Sequence, residues 1–168
     1  KAGGPSIDFL SPDIYFPNME HWCDLYTRQG NPLFIPEARG GPSGAAKALV
    51  TIGHYESLGF SPFSIESGEN PEEDDMGKAY NIIDQLSPML TTHHGQGKID
   101  GVLVDKQKPE MKITLGQYEF TFRHSHTLGW ESEARDKFWI PGGAIIIQTN
   151  DKEFYAAGSG VVITFKNI

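Results

Sequence analysis

Two hydrophobic periodicities divide the chain. Up to about residue 90, short apolar runs alternate with stretches whose apolar residues recur every three to four positions, whereas beyond about residue 100 strict two-residue alternation takes over. Residues 7–15, Ile7-Asp-Phe-Leu-Ser-Pro-Asp-Ile-Tyr15, are mostly apolar and end in polar groups, as a buried parallel strand does at its carboxyl end. Asn18 then opens a helix with Trp22, Leu25 and Tyr26 on one face, and Gly30 followed by Pro32 ends it. Residues 32–37 repeat the buried-strand pattern. Residues 44–57 give a helix with Ala45, Leu49 and Ile52 on one face, and residues 59–66 a third strand. An acidic loop over 67–75 leads into a helix carrying Met76, Ala79, Tyr80, Ile83 and Leu86 on one stripe, expected to stop near Pro88.

Strand, helix, strand, helix, strand in that order requires a parallel sheet, because only a crossover can return the chain parallel to itself. The strand-end acids Asp13, Glu37 and Glu66 recur at close to the roughly 31 residues per unit of a (β/α)₈ barrel, although a doubly wound sheet fits the same lengths. After the linker-like Thr91-Thr-His-His-Gly-Gln-Gly97, Tyr118, Phe120 and Phe122 alternate with Glu119, Thr121 and Arg123. Residues 144–149, 153–157 and 161–166 add strands joined by Asn-Asp and Gly-Ser-Gly turns. The expected fold class is therefore α/β followed by all-β: an α/β part over residues 1–96, then a small antiparallel, sandwich-like β domain over 97–168.

Charge narrows the partners. The formal net charge is −8 and no Lys/Arg cluster interrupts it, so nucleic acid and anionic membrane surfaces are poor partners. Cys23 is the only cysteine, which excludes an intrachain disulfide and a cysteine-based zinc site and leaves the compartment open. No apolar run approaches the roughly 18 residues of a membrane span. The opening Lys1-Ala-Gly-Gly-Pro-Ser6 reads as a loop before a strand and points to sequence upstream.

The chemistry of an α/β barrel sits at the carboxyl ends of its strands. There Asp13 and Tyr15 share a face of the first strand, Glu37 and Arg39 a face of the second, and Glu66 closes the third. A retaining glycosidase needs a nucleophilic carboxylate and an acid/base carboxyl roughly 5–5.5 Å apart. A tyrosine hydroxyl and an arginine beside Glu37 would favour its charged form. Taken alone, Glu37 reads about equally as a nucleophile and as a carboxylate that caps the helix starting near Ser43 or pairs with Arg39, while Asp13 reads as a turn residue and Glu66 as part of a solvated acidic loop. Trp22 reads as core, and Trp130 and Trp139 as packing residues or sugar-stacking platforms. His93 and His94 lack further ligands at metal-binding spacing, and His124 and His126 share a strand face without a third ligand. Neither a phosphate-binding glycine loop nor a serine nucleophile elbow is present in the sequence.

Together, Ile7–Tyr15, Asn31-Pro-Leu-Phe-Ile-Pro-Glu37 and Gly59-Phe-Ser-Pro-Phe-Ser-Ile-Glu66 resemble strands six, seven and eight of β-galactosidases of glycoside hydrolase families thirty-five and forty-two. Leu115-Gly-Gln-Tyr118, Gly142-Gly-Ala-Ile-Ile-Ile147 and Ala156–Phe165 resemble the β domain that follows the barrel in a bacterial subgroup of family thirty-five. The resemblance implies that residues 1–96 are the last three βα units of a (β/α)₈ catalytic barrel. It also implies retaining exo-β-galactosidase chemistry on oligo- or polysaccharides, without metal or organic cofactor, in a bacterial periplasm or outside the cell. Glu37 matches the family's nucleophile; Tyr15 and Asp13 match positions after strand six, Arg39 tunes Glu37, and Phe63 lines the sugar site where many relatives carry a tryptophan. The family's acid/base glutamate follows strand four, outside this chain, so the chain alone is expected to be inactive. Its sheet edge then needs the rest of the barrel, or a second copy, to cover it. A non-catalytic carbohydrate-binding or structural module is the rival expectation.

Overall fold

Pro12 lies immediately before the first parallel strand and Pro62 is the last residue of the third, while Pro36 sits within the central one. The computed structural model describes residues 6–68, 70 and 72–168. Strand β1 is Asp13–Ile14, β2 Ile35–Ala38 and β3 Phe60–Pro62. They form a three-stranded parallel sheet in the order β1-β2-β3, an open sheet and not a closed barrel.

The strand expected over 7–15 thus contracts to two residues. Before Pro12 the chain is held by the Asn31 side chain, which accepts from the Leu10 N–H and donates to the Leu10 carbonyl, both at 2.9 Å. The strand expected over 59–66 ends at Pro62, and Ser64 turns the chain in a left-handed conformation (φ 59°). Glu66 consequently lies in an exposed 3-10 turn over Ile65–Ser67 and does not close a strand.

Helix α1 is Met19–Tyr26, α2 Gly41–His54 and α3 Asp75–His93. Asn18 precedes α1 as expected, but its side-chain oxygen accepts from the Trp22 indole at 3.3 Å and caps no backbone N–H. Asp74 does cap α3, accepting from the N–H groups of Met76 and Gly77. Pro88 does not stop α3. The carbonyl it leaves unpaired belongs to exposed Asp84, where water can satisfy it, while Met89 and Leu90 continue the packing stripe.

Six strands follow: β4 (Ile99–Val104), β5 (Glu110–Leu115), β6 (Tyr118–His124), β7 (Gly142–Asn150), β8 (Glu153–Ser159) and β9 (Val161–Asn167). They form two antiparallel sheets, β4-β7-β8 and β5-β6-β9. Gly160, at φ 70°, turns the chain from β8 in one sheet into β9 in the other. One core cluster joins the two sheets through Val102, Ala144 and Ile146 on one side and Ile113, Leu115, Phe120 and Phe122 on the other. With its three helices and antiparallel sheets, the described chain is a mixed α/β structure.

Small residues bring α2 against both halves. Ala48 and Val50 pack with Ile14, Ile35 and Phe60 of the parallel sheet, and Leu49 packs with Ile99, Ile145 and Ile147 of the β4-β7-β8 sheet. A Cβ on Gly143 would lie 2.7 Å from the Ala46 carbonyl, and one on Gly101 would lie 2.9 Å from the His54 nitrogen. Helix and sheet therefore touch backbone to backbone. The expected boundary at 96/97 falls between α3 and β4, yet the core runs across it.

At the far end of α2, His54 Nδ1 lies 2.7 Å from Asp100 Oδ1. This hydrogen bond raises the His54 pKa above its ordinary 6.5 against the opposing effect of burial. A raised folded-state pKa contributes stability that is complete below 6.5 and is lost as pH rises through the raised value. Asp100→Asn is expected to return the His54 titration, followed by imidazole proton shifts, toward 6.5 or below; an unchanged midpoint would show that the pair does not form in solution.

Candidate active site

The parallel register fixes the site. Asp13 is the Cα partner of Glu37, so the two acids sit side by side at about the 4.8 Å strand spacing and share a face of the sheet. Tyr15 lies one period beyond Asp13, and its hydroxyl donates to Glu37 Oε1 at 2.6 Å. The bond spans adjacent strands at their carboxyl ends.

Glu37 is partly buried near the end of the central strand, flanked by fully packed Ile35 and Ala38. The hydrogen bond to Glu37 is the main cause that pushes the Tyr15 pKa from 10 up to about 12, followed by desolvation and by the charges of Glu37 and Asp13. The phenol thus remains a donor across the whole neutral range. Its contribution, complete below pH 10, is lost only as pH rises through about 12.

Arg39 and Phe63 sit less tightly. Arg39 lies two residues beyond Glu37 and is exposed, and among the described residues it forms no ion pair. Its charge opposes the upward shift of Tyr15 and, after burial, helps lower the Lys47 pKa. Phe63 follows β3; its N–H donates to the Ala38 carbonyl at 2.9 Å, while its ring is 68% exposed. Asp13, Tyr15 and Glu37 are thus brought together directly, whereas Arg39 and Phe63 share only the same end of the sheet.

Elsewhere, among the described residues, no group of three or more His, Cys, Asp or Glu side chains could hold a metal ion. Cys23 is fully buried, and burial pushes its thiol up to about 12, so it is an inert core residue. His124 and His126 do not share a strand face: β6 ends at His124, and His126 belongs to the 3-10 turn Ser125–Leu128. Their rings meet at 4.8 Å, and His124 stacks on Trp139 at 4.8 Å with an interplanar angle of 29°. Trp139 is therefore a packing residue, and of the two tryptophans weighed as platforms only Trp130 is exposed.

A family model described as a domain of unknown function (DUF5597) matches residues 76–167, more than half of the chain. The chain belongs to that family. The DUF5597 segment begins at the first turn of α3 and takes in all six antiparallel strands. It therefore starts before the expected boundary at 96/97, in agreement with the packing of α3 on the β4-β7-β8 sheet. Glu37, Tyr15 and Asp13 lie upstream of the matched segment. No curated protein matches the chain.

The Tyr15 shift is open to test. In the native chain Tyr15 is expected to remain protonated at a pH where free tyrosine is ionised, and Glu37→Gln to bring its midpoint down from about 12 toward 10. Ring-labelled tyrosine spectra across the alkaline range measure both. A native midpoint of 10 would show that the contact is not made in solution.

Proposed function

We propose that the chain is the carboxyl-terminal portion of a retaining β-glycosidase of the exo-β-galactosidase kind, with Glu37 as its nucleophile. The observation that carries this reading is the Tyr15–Glu37 hydrogen bond at 2.6 Å, with Asp13 in register, at the carboxyl ends of neighbouring parallel strands. That is where parallel α/β sheets place their ligands, and a single phenolic donor on a carboxylate positions it while leaving the second oxygen free to attack. In this reading β1, β2 and β3 are strands six, seven and eight of a (β/α)₈ barrel, followed by a sandwich-like β domain, in a bacterial periplasmic or extracellular enzyme.

The chemistry follows from one carboxylate. Glu37 would attack the anomeric carbon as the bond to the aglycone oxygen breaks, an acid supplied by preceding strands would protonate that oxygen, and water would then release the sugar from Glu37 with retention. Asp13, Arg39 and Phe63 are read as sugar contacts around the reacting carbon. The experiment compares hydrolysis of an aryl β-galactoside by this chain and by a polypeptide extended upstream through five further strands. The reading expects turnover with a retained anomeric configuration from the longer chain and none from this one. Turnover by this chain alone, or inversion, overturns it.

A second reading rests on a different observation. Because the DUF5597 match starts at residue 76 and leaves out Glu37, the segment from α3 onward could serve as a non-catalytic carbohydrate-binding or structural module. An extended chain that binds sugar but turns over no glycoside would favour it.

A further inference from the structure

The two antiparallel sheets meet at one corner and part from it. Gly160 turns β8 into β9, and the Ser125 N–H donates to the Gly160 carbonyl at 2.9 Å, which ties the two sheets together there. Beyond that corner β8 pairs only with β7 and β9 only with β6, so these two consecutive strands are free edges of opposite sheets. Period-two alternation turns Phe154 and Ala156 of β8 and Ile163 and Phe165 of β9 to the space between the sheets.

The inner faces of a sandwich ordinarily fill one another. Here they do not. Phe120 and Ile146 form a buried floor, but inward-facing Ala156 is exposed and Phe165 is 68% exposed. With Tyr118 and Lys152 at its limits, the cleft so formed has a volume of about 370 Å³, within the range of about 300–1,000 Å³ usual for small-molecule sites.

Four rings shape this cleft. Phe154 and Phe165 each pack on Tyr118 and Phe120, at centroid separations between 4.8 and 6.1 Å. Among the described residues no ring contact joins Phe154 to Phe165, so a gap separates the two side walls and suits a flat aromatic group. Each wall belongs to a strand hydrogen-bonded along its length to its own sheet, so the slot is formed before a ligand arrives.

One charge lies on this apolar lining. Lys152, in the turn between β7 and β8, is the only charged residue lining the cleft among the described residues. Its ammonium forms no ion pair there, and neither it nor the Tyr118 hydroxyl forms a hydrogen bond within the described chain. The neighbouring Glu153 carboxylate is engaged elsewhere, accepting from Thr149 at 2.6 Å and from Asn150 at 2.9 Å. An unpaired cation beside apolar walls favours a ligand that brings one anion of its own, because such a pair is less screened than one in open water.

We propose that this cleft binds a small aromatic monocarboxylate, its ring between Phe154 and Phe165 and its carboxylate received by Lys152 and the Tyr118 hydroxyl. The site lies wholly within the DUF5597 segment, on the face of the β4-β7-β8 sheet turned away from the helices. It is independent of the glycosidase reading.

The test titrates this chain, carrying ¹³C-labelled phenylalanine and tyrosine rings, with trans-cinnamate, with the uncharged cinnamamide and with acetate. The Phe154 and Phe165 signals are expected to move saturably with cinnamate at a Kd of about 0.1–1 mM, and with cinnamamide about three- to tenfold more weakly. Acetate, which has the charge without the ring, is expected to leave them in place. Lys152→Met is expected to weaken cinnamate binding by that same factor and to leave cinnamamide binding unchanged, a pattern that general loosening of the fold would not produce. Ala156→Leu, which fills the slot from an exposed position, is expected to abolish binding of both without lowering the melting temperature. No saturable response at millimolar cinnamate, equal affinity for cinnamate and cinnamamide or for cinnamate and acetate, or unchanged binding by Ala156→Leu overturns the proposal. Ring signals that move with protein concentration alone identify a second copy in the cleft and overturn it too.

Discussion

On the proposed glycosidase reading, Glu37→Gln, made in a chain extended upstream through the five strands that reading calls for, is expected to lower kcat for an aryl β-galactoside by at least roughly 10³-fold. Glutamine is nearly isosteric and can still accept from the Tyr15 hydroxyl, so the positioning contact survives and only the carboxylate charge is lost. Added azide should then restore part of the turnover by attacking the anomeric carbon from the vacated face, giving the α-galactosyl azide. Tyr15→Phe, which removes the donor but keeps the carboxylate, is expected to cost far less and to leave azide without effect. Glu37→Gln activity within a few-fold of the parent would remove Glu37 from the chemistry.

Ile145→Ala is expected to lower the stability of this chain by about 2–5 kcal/mol. Ile145 is completely buried at the point where β7 meets Leu49 of α2 and Ala79 and Leu86 of α3, so a cavity there loosens both halves at once. The backbone contacts Gly143–Ala46 and Gly101–His54 leave no slack for the helices to settle into the void. Urea unfolding followed by far-UV dichroism and by tryptophan fluorescence is expected to show coincident transitions, in the parent and in the variant. Separate transitions, with only one moved by Ile145→Ala, would contradict a core shared across residue 96.

What the sequence conveys well is whatever depends on local pattern. Glu37 at a strand end, the 3.6-residue stripe of α3 and the alternation of β6 are all readable because each element repeats its own period. Where a single residue decides, pattern misleads. The apolar runs around Pro12 and Pro62 read as long strands yet pair over only two and three residues, and Pro88 sits at a solvated turn of α3 where losing one hydrogen bond is tolerated. Strands β4 and β5 differ in how they could have been found. β4 is buried on both faces and carries no alternation, whereas Met111, Ile113 and Leu115 of β5 alternate with Lys112 and Thr114 in plain view.

The site was partly legible for the same reason. Asp13 and Glu37 follow from strand ends, but the 2.6 Å bond between Tyr15 and Glu37 depends on the register of two strands more than 20 residues apart. No local pattern encodes that register. Similarly, the stacking of His124, His126 and Trp139 joins a strand end to a turn and to the far limb of a long connection, and two histidines at a spacing of two suggested a shared strand face instead.

The most direct measurement of the central claim is covalent trapping. An upstream-extended chain incubated with a 2-deoxy-2-fluoro-β-galactosyl fluoride should accumulate a stable glycosyl adduct, because the 2-fluorine slows both formation and hydrolysis of the intermediate while the good fluoride leaving group keeps formation the faster of the two. Peptide mass mapping is expected to place the added mass on Glu37. A label on any other residue, or time-dependent inactivation without a covalent adduct, would contradict the account.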